Sequence, residues 1–220
     1  MTQDKPLWLF GDQLGGHFHG TRRNRGRPIL LIESERALRH RPYHRQKLHL
    51  VLAAMRRLAE DLGERVTYVR AATYGEGLRR FGRVVDVHEP GSHAAWALVE
   101  RLRDEGLVDE VLPTPGFALG KAGFAEWAQG RSGFRMEDFY RDQRRRFGVL
   151  LEPDGGPVGG GWNFDKHNRE GPPGASTLGV PAPYRPRENA VDRGCGGTWT
   201  RGAGRPGAGW WAGTAPVCSR

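Results

Sequence analysis

Short apolar runs alternate with stretches of helical spacing along the first half of the chain. Five of these runs have the length of buried strands and end at turn-forming or acidic residues. They cover residues 6–11, 28–32, 65–69, 83–87 and 108–112. Apolar residues within 43–62 recur every three or four positions, with Pro42 near the first turn and Gly63 just past the end. This stretch therefore predicts a long amphipathic helix.

Shorter helical patterns separate or follow the remaining runs. They cover residues 77–81, a stretch capped by Ser92 and running to about 105, 121–128 and 136–146. Strands that alternate with helices indicate a parallel sheet covered on both faces. Because such crossovers are right-handed, we expect an α/β, doubly wound domain of Rossmann-like or flavodoxin-like type. A linker and an irregular tail are expected to follow it.

Polar and glycine residues lie where the predicted strands end. Ligands of doubly wound domains bind at the carboxyl ends of the strands. Asp12 and Glu33 follow two neighbouring strands, so their carboxylates could converge on one crevice and accept hydrogen bonds there. The alternative is that they cap the next helices or turns. The first strand is followed by GDQLGG and not by G-x-G-x-x-G, which makes a dinucleotide-binding Rossmann enzyme the least favoured reading.

The chain is strongly basic, with a formal net charge of +9 and a pI near 10.2. This charge permits an anionic partner such as DNA. Of 34 basic residues only four are lysines, however, and abundant arginine, glycine and alanine also fit a GC-rich coding sequence. With neither a long apolar stretch nor a secretory leader in sight, we expect a cytoplasmic protein without a membrane partner.

Histidine and cysteine do not predict a metal site. His44 and His49 are five residues apart, which puts them on different faces of a helix, and His17 and His19 lie in a loop. The two cysteines of the chain, Cys195 and Cys218, are too few for a four-thiolate cluster, and we expect both to be exposed thiols without a role.

Several motifs resemble one family. They are LFGDQL at 9–14, KLHLVLAAMRRLAEDL at 47–62, HEPG at 88–91, RMEDFYRDQRR at 135–145 and GGGWNFDKHNR at 159–169. In this order and spacing they resemble the prokaryotic cryptochrome/photolyase-related proteins, the iron–sulfur branch that includes (6-4) photolyases. The resemblance implies a photolyase-type N-terminal α/β antenna domain at 1–133. An interdomain linker with one helix and the WNFD segment would then cover 134–192.

The resemblance also implies a chromophore and a reaction. In that family the α/β domain carries an antenna, 6,7-dimethyl-8-ribityllumazine. A large helical domain holds FAD and a [4Fe–4S] cluster and performs light-driven repair of DNA lesions, a lyase reaction. The expected cofactor-binding residues of this chain are Gly11, Asp12, Gln13, Glu33, Glu35, Glu89 and Gly91. The family often has a further acidic residue where this chain has Ala37.

Residues 193–220 have an unusual composition. They contain eight glycines, three tryptophans and both cysteines, and no Leu, Ile, Lys, Asp or Glu. Such a segment has little aliphatic surface to bury, so we expect a disordered tail read out of frame. The whole chain is then expected to be a monomeric antenna-domain fragment without the FAD and iron–sulfur domain, inactive by itself. The alternative is a stand-alone α/β module that binds a chromophore or nucleotide in signalling or interaction.

Overall fold

The structure is a computed structural model that describes residues 5–40, 43–165, 179, 181, 187 and 189–195. The chain divides into two compact units. Of the described residues, those up to 118 together with 187 and 189–195 form the first, and those from 119 to 181 form the second. In the described parts, no helix has both the length and the apolar character needed to cross a membrane.

The first unit contains a five-stranded, all-parallel sheet, which confirms the predicted α/β fold. Its strands are β1 (Leu7–Leu9), β2 (Ile29–Ser34), β3 (Val66–Ala71), β4 (Val85–His88) and β5 (Val108–Leu112). Their spatial order is β3-β2-β1-β4-β5, the order of the first five strands of a Rossmann sheet. Of the two doubly wound arrangements that were open, the chain therefore adopts the Rossmann-like one.

Helices connect the strands and cover both faces of the sheet. They are α1 (Gly16–His19), α2 (Glu35–Arg39), α3 (Arg45–Leu62), α4 (Tyr74–Phe81) and α5 (His93–Asp104). The prediction of α3 is confirmed, as is the cap at Ser92, whose hydroxyl accepts from the backbone N–H of Ala95 at 3.3 Å. The one-turn helices α1 and α2 were not predicted, because they are too short to show a helical period.

Alternate residues of the central strands pack on opposite faces of the sheet. Trp8, Leu30 and Val87 belong to a cluster that also contains Leu78 of α4 and Val99 of α5. The sequence neighbours of Trp8 and Leu30 belong to a second cluster, which also contains Met55 of α3 and packs against other apolar residues of that helix. These neighbours are Leu7, Leu9, Ile29 and Leu31. Each central strand is thus buried on both sides. This is why the strands read as continuous apolar runs and not as alternating patterns.

Two strands continue further than their apolar runs predicted. We expected β2 to stop at residue 32 and β4 at residue 87, but Glu33, Ser34 and His88 remain in strand conformation and are buried. A buried polar side chain is tolerated when it is hydrogen-bonded. Asn24 lies 3.1 Å from Nε2 of His88, and Arg56 donates to Glu33, so neither polar residue ends its strand.

A buried ion pair holds the loop before β2 against β4. Nη2 of Arg27 lies 2.5 Å from Oδ2 of Asp86, and both side chains are almost fully buried. Arg65 donates to the carbonyl oxygens of Arg27, His19 and Asn24, and thereby fixes the same loop. Burial lowers the pKa of Arg65. Arg27 is thus a buried structural charge, and the half-buried Arg65 supports the same loop.

The second unit contains α6 (Lys121–Ala128) and α7 (Met136–Phe147), close to the positions predicted. Four aromatic rings of this unit pack together, with distances of 4.9 to 6.2 Å between the centroids of neighbouring rings. They are the rings of Phe124, Trp127, Phe134 and Phe139. Across residues 119–165, no hydrophobic side chain is classed as buried. This unit therefore shows an aromatic cluster but, within those residues, no apolar core.

Residues 190–195 are helical and belong to the first unit. Val191 and Cys195 pack against Leu52 and Ala53 of α3. The expectation that Cys195 would be exposed is therefore wrong, because its thiol lies in an apolar contact with α3 and accepts from Nη1 of Arg56 at 3.3 Å. The predicted irregular tail begins with three residues of this helix, and residues 196–220, with Cys218, lie outside the described residues.

Candidate functional site

The topology has its switch point between β1 and β4, where open α/β sheets have their ligand-binding crevice. The chain leaves β1 toward β2 on one side and leaves β4 toward β5 on the other, so neighbouring strands have connections that diverge. In open α/β sheets, ligands bind at such a switch point, outside the carboxyl ends of the strands. Here the segments at that edge are 10–13 and 89–91. They contain five of the seven predicted cofactor-binding residues.

Gln13 ties the two sides of the crevice together. Its side chain is buried, and its Nε2 donates to the carbonyl oxygens of Glu89 at 3.1 Å and His88 at 3.4 Å. Its Oε1 accepts from the backbone N–H of Phe10 at 3.3 Å. Since the amide is used on both ends, Gln13 shapes the crevice and does not offer its side chain to a ligand.

Asp12 is exposed at the rim of the crevice. Its Oδ2 lies next to Gly91, where an added Cβ atom would stand 3.6 Å away. Among the described residues, no side chain or backbone group donates a hydrogen bond to this carboxylate. Burial, followed by the charges of Asp12 and Tyr43, raises the pKa of Tyr74 to about 12. Asp12 therefore faces the space beside Gly91 and lies near a tyrosine that stays protonated.

Three aromatic rings lie behind this rim. The ring centroids of Trp8 and Phe10 are 4.4 Å apart, and Tyr74 lies 5.4 Å from Trp8 and 5.6 Å from Phe10. The indole Nε1 of Trp8 is buried, and the described residues supply no acceptor for it. The sequence did not predict that Trp8 and Tyr74 lie near the site. Thr73 is a typical N-cap residue, and it could have shown that Tyr74 begins α4.

Glu33 belongs to a different set of contacts. Its Oε1 accepts from Nη2 of Arg56 at 2.7 Å, and its Oε2 accepts from the hydroxyl of Tyr68 at 2.7 Å. Nε of Arg70 lies 3.3 Å from the same Oε2. Burial and the charge of Glu33 raise the pKa of Tyr68. The carboxylate of Glu33 is thus held by three donors, and no described contact joins it to Asp12.

The other predicted residues are placed as follows. A Cβ atom on Gly11 would lie 2.7 Å from Cγ1 of Val51, so glycine permits the close approach of α3. Glu35 is exposed in the first turn of α2. The backbone N–H of Glu89 donates to Leu112 at 2.8 Å. Gly11 therefore serves helix packing, and the backbone of Glu89 extends the pairing of β4 with β5.

The family described as deoxyribodipyrimidine photo-lyase-related protein matches residues 7–195 of this chain. The chain belongs to this family. The family resemblance that the motifs suggested is thereby confirmed. The photolyase-related chain is also 33% identical, over 164 residues, to a (6-4) photolyase of Agrobacterium fabrum (strain C58). That alignment covers 64% of this chain and 31% of the relative, so the chain spans about a third of the length of the relative it matches.

The photolyase-related chain has a cavity elsewhere in the first unit. It measures about 320 Å³ and lies between α3, β3 and the helical segment 190–195, where Arg56, Tyr68 and Arg70 contribute to its wall. It adjoins the Glu33 contacts and not the switch point. Among the described residues, no three His, Cys, Asp or Glu side chains are grouped as they would be to hold a metal ion.

Proposed function

We propose that this chain provides the antenna domain of a photolyase-related DNA-repair protein and binds a ribityl-lumazine chromophore at the switch point between β1 and β4. The observation that carries the proposal is the exposed carboxylate of Asp12 beside Gly91, at the edge where open α/β sheets bind ligands. Family membership supports the choice of ligand class, because the relative that aligns with this chain is a (6-4) photolyase.

The residues present fit a ribityl-lumazine in part. Its ribityl chain carries hydroxyl donors, and an ionised carboxylate accepts several hydrogen bonds. Asp12 can take this role, and the missing side chain at Gly91 leaves space beside it. Glu33 does not fit, because Arg56, Tyr68 and Arg70 already occupy its oxygens. The proposed seat therefore rests on Asp12, with Gln13 holding the two rims together.

The residues of this chain would bind and orient the chromophore. The ring of Tyr74, which stays protonated and lies near Asp12, is the aromatic surface that the flat heterocycle would pack against. Trp8 and Phe10 are buried and pack against Tyr74, so they support its ring and do not themselves contact the ligand. When bound, the lumazine would absorb light and pass the excitation energy on. By the family resemblance, flavin, iron–sulfur cluster and DNA lesion would bind outside the residues that match here, and their involvement is part of the proposal.

An equilibrium titration tests the proposal. The 220-residue chain is titrated with 6,7-dimethyl-8-ribityllumazine, and binding is followed by the fluorescence of the ligand. We expect Asp12→Ala to weaken binding by a few-fold to about a hundredfold, which corresponds to about 1–3 kcal/mol for a charged hydrogen-bonding partner. Asp61→Ala, which removes an exposed carboxylate on α3, is the matched control. If the unaltered chain does not bind, or both variants weaken binding equally, the proposal is wrong.

A further inference from the structure

The two motifs of the second unit meet in the structure. Trp162 comes from GGGWNF, and the arginines around it come from α7, the helix of MEDFYRDQRRR. The guanidinium carbons of Arg145, Arg144 and Arg141 lie 4.8, 5.0 and 6.0 Å from the centre of the Trp162 ring. Nδ2 of Asn163 also donates to Glu137 at 3.0 Å. Three cations of one helix thus lie close to one aromatic ring, and the chromophore proposal gives them no role.

The charges of these three arginines are only weakly compensated. In the described part of the chain, the one carboxylate within ion-pair distance of any of them is Asp142, 4.0 Å from Arg145. The other oxygen of Asp142 already accepts from Trp127 at 2.8 Å and Arg131 at 2.9 Å. The cluster therefore keeps most of its positive charge.

The hydrogen-bonding capacity of the cluster is also incompletely used. Arg144 is 6% exposed and donates to the carbonyl oxygens of Val149 and Leu150, which are neutral acceptors. The Nε of Arg141 is buried, and no acceptor for it exists among the described residues. A buried donor without an acceptor is unfavourable, and so is a group of like charges in partial burial. Contact with an aromatic face offsets only part of this cost.

We propose that this cluster of arginines beside Trp162 binds a phosphate group through Arg141 and Arg145. A guanidinium presents its donors as a planar fork that matches phosphate oxygens, and such charge-assisted hydrogen bonds are strong. Arg145 has a side chain 59% exposed, so an oxyanion can reach it from solvent. Arg144 lies deeper and orients the loop at 149–150. The phosphate comes either from the backbone of a nucleic-acid strand or from a small phosphorylated molecule.

Two binding assays on the 220-residue chain distinguish these sources. Fluorescence anisotropy measures binding to a fluorescein-labelled thymidine oligonucleotide over a series of salt concentrations, and calorimetry measures binding of inorganic phosphate. The test variant is R141Q/R145Q. The control, R36Q/R83Q, removes the same charge from exposed positions of the first unit. Thermal unfolding of each variant checks that the fold is kept. If R141Q/R145Q is unfolded, R141K/R145K takes its place, because lysine keeps the charge and removes the planar fork.

A backbone phosphate predicts that only the cluster variant loses oligonucleotide affinity, by about tenfold or more. In R141Q/R145Q the slope of log affinity against log salt concentration should also become shallower by about 0.7 for each lost phosphate contact, whereas R141K/R145K, which keeps the charge, should lose affinity with little change in this slope. A small phosphorylated ligand predicts that the cluster variant loses phosphate binding in calorimetry while both variants bind the oligonucleotide alike. Equal losses in the cluster and control variants would show general charge attraction, and this result or no binding in either assay would overturn the proposal.

Discussion

Residues 5–118 bury or half-bury most of their apolar side chains, whereas residues 119–165 leave most of theirs exposed. The sheet side chains Leu7, Trp8, Leu30 and Val87 have no more than traces of exposed surface. In the second region even Phe134 is 63% exposed. The family match spans both regions. A region that buries little of its apolar surface gains little stability from it. We therefore expect the first region to provide most of the folding stability and the second to offer its exposed apolar side chains for contacts with other molecules.

The same contrast separates the two kinds of motif. Glycine, glutamine and glutamate of the first region are engaged in packing and hydrogen bonds, as Gly11, Gln13 and Glu33 show. The motifs of the second region, which resembled the family most specifically, form a half-exposed cluster around Trp162. Asp12 differs from these three residues, because it is exposed and accepts no hydrogen bond from a described residue.

The largest expected effect comes from the buried ion pair. Asp86→Ala leaves Arg27 buried without its carboxylate, and we expect it to lower the free energy of unfolding by about 3–5 kcal/mol. Glu126→Ala, which removes a 3.8 Å contact with the exposed Arg146 of the second region, should cost about 0–1 kcal/mol. Denaturant unfolding of both variants measures the difference. Similar costs for the two would contradict the contrast between the regions.

Apolar truncation should separate the regions in the same direction. Leu30→Ala empties a site that is 0% exposed at the centre of the sheet and should cost about 2–5 kcal/mol. Phe134→Ala shortens a side chain that is mostly in solvent and should change stability by about 0.5 kcal/mol or less. The unfolding midpoint in urea reports both. A large loss for Phe134→Ala would mean that the second region has a core of its own.

A smaller effect concerns the return of the chain to the first region at 189–195. Burial alone would raise the pKa of Asp192, but the backbone N–H of Asn189 and the charges of Arg57 and His49 lower it below its ordinary value of 3.8. A lowered folded pKa contributes stability that is complete above the ordinary value and is lost as the pH falls through the folded value. Asp192→Asn should therefore reduce stability at neutral pH and weaken its decline below pH 3.8. Stability measured against pH checks this, and an unchanged acid limb would disprove it.

Sequence reasoning predicted the parts of the fold that depend on local pattern. The five apolar runs, α3 and the cap at Ser92 all follow from spacing and residue type. The ends of β2 and β4 could not be predicted, because Glu33 is kept in its strand by Arg56, which is 23 residues away. No local pattern shows which distant side chain will pair with a polar residue.

The sequence predicted at which edge of the sheet the candidate residues lie, but not which contacts each of them makes. Topology places Asp12 and Gly91 together at the switch point, whereas the strand-end argument paired Asp12 with Glu33. The same argument could not show that Glu33 would be held by three donors, since those come from α3 and β3. Tyr74 was missed because its position depends on how α4 packs against β1.

The most direct measurement is the lumazine affinity of a variant in which a side chain fills the proposed binding site. A Cβ at Gly91 would lie in ordinary contact with Asp12, so Gly91→Val places methyl groups in the space proposed for the chromophore. Gly133→Val adds the same group in the second region, where a Cβ meets nothing within 4 Å. In the lumazine titration, the account predicts that Gly91→Val weakens binding by about tenfold or more, at unchanged thermal stability, and that Gly133→Val binds like the unaltered chain. Full affinity in Gly91→Val would contradict the placement of the chromophore at the switch point.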